Sequence, residues 1–252
     1  MTILADPVRL RKTVAGVALI GFPLAGLLSS IADSDEGTNL EASTLYGLLI
    51  GNEASIRLAG LLFIVSAVLT VPAIGGMLHL LRGRGAALGH VGAAFALVGA
   101  FGHMGYATWQ LMLAHVPNQP DQAAMVAYLD RSSSVSDLVL LPMLIAITLG
   151  LILMAVGLRK ARFVPLWVPL LAVSTVAAES VVSTVLADSA KWSMVAIWTM
   201  VLVAFGYVGV RLLRMTSEQW SDGVDVTAPD AGAGSAGHRG PARRPEPARS
   251  GR

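Results

Sequence analysis

The sequence predicts an all-α membrane protein, a polytopic bundle of six transmembrane helices with both termini cytoplasmic. Three observations carry that prediction. Of 252 residues, 54% are hydrophobic and 13% charged, with a mean hydropathy of +0.66, whereas soluble domains carry about 25% charged residues. The apolar residues fall in runs long enough to cross a hydrocarbon layer of about 30 Å. Lysines and arginines then gather in every second connection, the bias that marks cytoplasmic loops.

Residues 1–13 hold Arg9, Arg11 and Lys12 and form a cytoplasmic N-terminus ahead of the first span, 14–31. A secretory signal peptide is the competing reading, since Ser30-Ile31-Ala32 suits a cleavage site, but the apolar run exceeds that of an ordinary leader. Pro23 should bend this helix, which membranes tolerate when neighbours satisfy the freed carbonyl. The loop at 33–53 carries Asp33, Asp35, Glu36, Glu41 and Glu53 without a lysine or arginine. Its apolar stretch 45–50 is too short to span and belongs at the interface.

The second span, 58–81, contains Pro72 and the pair Gly75-Gly76. A tight turn at Gly83-Arg84-Gly85 leads to the third, 86–113. Residues 114–135 read as a polar loop, and Ser136-Asp137 as the cap that opens the fourth span, 136–158. Arg159, Lys160 and Arg162 make a basic turn before the fifth span, 163–187, and 188–191 an outer turn before the sixth, 192–213. The transmembrane domain thus covers 14–214, and 215–252 is a cytoplasmic tail. Its Gly, Pro, Ala and Arg cannot bury a core, so disorder is expected there. Only Arg57, Arg131 and Lys191 lie in the other connections, beside most of the acids. Abundant Ala, Gly and Arg fit a high-GC bacterial gene, which places the chain in the bacterial plasma (inner) membrane.

The absence of cysteine excludes disulfides, thiolate metal sites and thiol nucleophiles. No P-loop or dinucleotide fingerprint occurs, and no nucleic-acid partner is expected. Membrane lipids are the expected surroundings. Chemistry is sought instead on the spans, where an ionisable residue has no hydration. On the third, Gly92, Ala96, Gly99, His103, Tyr106 and Gln110 share one stripe at ~100° per residue. On the fifth, Ala172, Thr175, Glu179 and Ser183 make a second small and polar stripe. Counted at 1.5 Å per residue, His103 and Glu179 lie at similar depths, ~25 and ~24 Å from the cytoplasmic end.

Two polar stripes in lipid are best satisfied by facing each other or a shared cavity. Glu179 and His103 are therefore the candidate acid and base, and Tyr106, Gln110, Thr175 and Ser183 the candidate ligand-binding groups. His79 and His90 flank the second turn, where two imidazoles from adjacent helices suit haem or a divalent metal. Headgroup contact explains them more simply, and neither metal nor cofactor is expected. Three functions follow. The first is binding or transport of a small or amphipathic ligand in a pocket of His103, Tyr106 and Gln110 facing Glu179. The second is an intramembrane enzyme for a lipid or isoprenoid, such as a proton-initiated terpene cyclisation with Glu179 or His103 as acid and base. The third is a structural or accessory subunit.

Overall fold

A computed structural model describes residues 6–33, 41–185 and 190–222, with side chains at all of these except 133–137, 179–185, 190 and 222. Among the described residues every regular element is helical. Asp6 opens α1 (Pro7–Ala32), its Oδ1 accepting from the amides of Val8 and Arg9 at 3.0 and 3.2 Å, with Pro7 in the first turn. The helix therefore starts before the apolar run, and its first turns bring Lys12 inward to donate to the Met215 carbonyl. The acidic loop contains a short helix, α2 (Ala42–Leu49), and α3 (Glu53–Leu80) follows.

The turn into α4 (Ala86–Leu113) depends on Gly85, whose φ of +92° suits glycine alone and whose ideal Cβ would lie 2.5 Å from the Gly157 carbonyl oxygen. The polar loop expected at 114–135 is mostly helix. After one 3-10 turn at Val116–Asn118, α5 runs unbroken over Gln122–Lys160, about 58 Å at 1.5 Å per residue. The cap is Asp121, accepting from the Ala124 amide at 3.0 Å, not Ser136-Asp137. Ala123, Ala124, Met125 and Ala127 are strong helix formers. Leu129 then fixes the extension by burial against Tyr46, Leu49, Ile56 and Val116, a small apolar cap over one end of the bundle.

Helix α5 ends in a paired C-terminal turn. The Phe163 amide donates to the Leu158 carbonyl and the Arg162 amide to the Arg159 carbonyl, both at 2.9 Å, with Arg162 at φ +58°. This is the Schellman arrangement, built on an arginine where glycine is usual. Consequently α6 begins at Trp167, four residues later than expected, and runs to Val185. Helix α7 spans Ala190–Arg214, and α8 covers Ser217–Asp222, so the segment expected to be disordered from 215 folds for its first residues. Residues 223–252 lie outside the described residues.

Helices α1, α3, α4, α5 (over Leu138–Lys160) and α7 (over Lys191–Arg214) are long and apolar enough to cross a membrane. Their outward surface is apolar too, with Leu138 78% and Phe101 72% exposed, which marks a lipid-facing belt. Neighbouring helices are antiparallel. The order around the bundle is α5, α4, α3, α1, α7, α6. Helix α1 lies between α3 and α7, and is joined to α3 by Ser66 Oγ donating to the Phe22 carbonyl and Ser29 Oγ to the Ala59 carbonyl, both at 2.8 Å. Against α7 its glycines are needed for approach. A Cβ on Gly16 would lie 2.7 Å from Leu213, and one on Gly26 would lie 2.5 Å from the Trp198 ring.

Candidate functional site

The small and polar stripe of α4 serves two purposes along its length. Gly92 and Ala96 meet α5 backbone to backbone, since a Cβ on Gly150 would fall 2.4 Å from the Ala96 nitrogen and 2.6 Å from the Gly92 oxygen. Gly99 meets Ile147 in the same way. Beyond it the contact with α5 moves around α4 to Gly102, facing Met143, and Gly105, facing Leu140. The far end of the stripe is thereby released from α5 and turns toward α3 and α7. That end holds His103, Tyr106 and Gln110.

His103 is 4% exposed and sits among rings. The Phe63 centroid from α3 is 4.7 Å from the imidazole and the Trp198 centroid from α7 is 5.7 Å away. Phe63 is the hub, also 5.5 Å from Tyr106 and 5.8 Å from Trp198. Two turns further along α4, Gln110 is equally buried, and its Nε2 donates to Asp33 Oδ2 at 2.8 Å, at the C-terminus of α1. The amide oxygen of Gln110 and Nδ1 of His103 are buried and have no hydrogen-bond partner. Among the described residues the other buried side-chain polar atoms of the spans are satisfied, as Ser29, Ser66 and Thr70 illustrate. Two orphans on one face of one helix therefore distinguish this place.

Of the residues singled out in the sequence, His103, Tyr106 and Gln110 are brought to one face. Thr175 is buried, and its hydroxyl donates to the Ala172 carbonyl of its own helix at 2.7 Å. The side chains of Glu179 and Ser183 lie outside the described residues. Helix α6 packs on α7 and α5, while α4 packs on α3 and α5. It is α7, through Trp198, that meets the imidazole. Phe63 and Asp33 were not among the candidates. Asp33 ends the first span and Gln110 lies near the end of the third, so shared depth was the one signal that linked them.

The other histidines have separate engagements. His79 Nε2 donates to the Trp220 carbonyl at 2.7 Å, and its ring stacks on the Trp220 indole at 3.8 Å and 12°. Its Nδ1 must then be the acceptor for Arg82, which fixes the neutral tautomer. His90 bonds through Nδ1 to the Ala86 carbonyl at 2.8 Å on its own helix. Among the described residues no group of three or more His, Asp or Glu side chains is placed to hold a metal ion. A cavity of about 210 Å³ near the end of α4, walled by Trp109, Met112, Met125 and Tyr128, shares no lining residue with the His103 face. Compared with protein-family models, curated proteins and solved structures, the chain has no match.

Proposed function

We propose that this is a small multi-pass membrane protein that binds or carries a small or amphipathic ligand on the α4 face of His103, Tyr106 and Gln110. One observation carries the reading. Leaving a buried donor or acceptor unmade costs about 1–3 kcal/mol, and the chain does so twice within two turns of α4. A merely structural face gains nothing from that cost. A ligand that supplies the missing hydrogen bonds recovers it. Phe63 and Trp198 would give this ligand apolar walls, and Glu179, Thr175 and Ser183 on α6 remain its proposed further contacts.

The test is His103→Leu in purified protein, with Gln110→Leu alongside. Removing the orphan imidazole should raise stability by about 1–2 kcal/mol, which for a chain of this size is roughly 2–4 °C in Tm per kcal/mol. The same substitution should abolish ligand-induced thermal shifts. Destabilisation of the fold by His103→Leu, with ligand shifts intact, would make the imidazole structural and remove the basis of the reading.

The proposal also takes α6 as a sixth span and sets the end bearing Arg82, Arg84, Arg159 and Lys160 in the cytoplasm of a bacterial cell. Because the chain has no cysteine, single introduced cysteines report topology cleanly. In intact cells an impermeant maleimide should label a cysteine at Asn118 and spare one at Gly83. Labelling at Gly83 would invert the topology.

A further inference from the structure

We propose that the cavity near the end of α4 is a second binding site, independent of the His103 face, and that its ligand is a small uncharged aromatic molecule bearing an N–H or O–H group. Three elements wall it. Helix α4 supplies Trp109 and Met112, His115 and Gln119 flank the 3-10 turn, and α5 supplies Met125 and Tyr128. The α5 wall comes from the stretch ahead of Leu138, where the part apolar enough to cross a membrane begins. The cavity therefore opens at the membrane–water boundary. Leu129 holds that stretch in place, buried in the apolar cap on which Met125 also packs.

Size and chemistry of the walls define the ligand. The volume of about 210 Å³ exceeds the roughly 150 Å³ that accommodates one benzene ring, and suits one ring or two fused rings. No lining residue is an Asp, Glu, Lys or Arg, so an ion would enter without a counter-charge. The Trp109 and Tyr128 rings are tilted by 35° with centroids 6.5 Å apart, too far to stack, so each leaves ring surface uncovered by the other. Two rings and two thioethers favour another ring over an alkyl chain, through ring–ring and sulfur–aromatic contacts. His115 turns Nδ1 back to the Leu111 carbonyl at 2.9 Å, so Nδ1 carries the proton and Nε2 of the neutral ring is an acceptor. That acceptor calls for a donor on the ligand. The Trp109 indole N–H, the Tyr128 hydroxyl and the Gln119 side-chain amide make no hydrogen bond among the described residues and add polar groups to the same walls.

The experiment titrates 5-fluoroindole and its N-methyl derivative, which lacks the donor, against the full chain in non-ionic detergent at neutral pH, with fluorine NMR as the readout. 5-Fluoroindole should bind saturably, and the N-methyl derivative about fivefold more weakly, the worth of one net hydrogen bond. His115→Phe should remove that preference. Met112→Trp, which fills the cavity from an exposed position, should abolish binding without lowering Tm. Should that variant fail to fold, Tyr128→Ala, which removes an exposed wall, must give the same loss. His103→Leu should leave every value unchanged, so this site stands or falls separately from the His103 face. A fluorine signal indifferent to Met112→Trp and to Tyr128→Ala is partition into detergent and removes the site. Equal binding of the two indoles by the unaltered chain overturns the donor requirement. Displacement by octane at the same concentration as unlabelled indole makes an alkyl chain the occupant and overturns the aromatic assignment.

Discussion

Gly150→Leu should unfold the bundle, whereas Gly75→Leu, the same substitution on an exposed face of α3, should stabilise it. A Cβ on Gly150 would lie 2.4 Å from one α4 backbone atom and 2.6 Å from another. Backbone at that position cannot rotate away as a side chain can, so α4 and α5 must separate by about 1 Å to reach ordinary contact. Separation loosens the whole seam, including Gly92 and Gly99, because in lipid such association rests on close packing, not on hydrophobic exclusion from water. Overpacking by a few carbons costs about 1–3 kcal/mol where side chains can adapt; here the loss should exceed that range. Gly75 has nothing within 4 Å of its Cβ position and is exposed. There leucine gains up to about 0.8 kcal/mol of helix propensity over glycine. Unfolding midpoints in a denaturing-detergent titration measure both, and opposite signs are expected.

Arg211→Ala should cost about 3 kcal/mol and open the turn between α5 and α6, the sum of a charged hydrogen bond and a partly desolvated cation–π contact. The Arg211 guanidinium donates to the Phe163 carbonyl and lies 4.8 Å from the Phe163 ring centroid. Phe163 is 1% exposed, so its carbonyl would be left with neither water nor a donor. Arg159 adds a long bond to the Val164 carbonyl at 3.5 Å, too weak to compensate. Lysine at 211 should rescue part of the loss, since it keeps the charge but not the planar fork. Hydrogen exchange at the Phe163 amide is the direct measure, as that amide closes the turn on Leu158. Unchanged protection in Arg211→Ala would show that the turn holds itself.

The boundaries of α4 were legible because both ends carry local signals. Glycine at 85 supplies the one positive φ that the turn needs, and the apolar run stops at Leu113. Helix α5 was not, because Asp130, Arg131 and three serines hide a helix that is stabilised by Leu129 packing on residues remote in sequence. The start of α6 was misplaced for the converse reason. Phe163 and Val164 are apolar and buried, yet they sit in a turn, and periodicity cannot separate a buried turn from the first turn of a span. At the site, the α4 residues were readable from helical spacing alone. Their partners on α3, α7 and α1 were not, since ring contacts across helices leave no local pattern. His79 shows the same limit, because its partner Trp220 lies in a segment whose composition argued against any fold.

The pairing of α1 with α7 has a consequence for the order of events during synthesis. Of the described helices α1 is made earliest and α7 is the last of the long ones, yet Gly16 packs against Leu213 and Gly209 and Gly26 against Trp198. Closure therefore waits on contacts between segments far apart in sequence, the kind that slow folding. Until α7 docks, the glycine face of α1 is covered only by lipid, and Trp198, one wall of the His103 face, is missing. A chain stalled or truncated before α7 would lack the Trp198 wall of the His103 face, so on the binding reading proposed above competence would be acquired in a single late step.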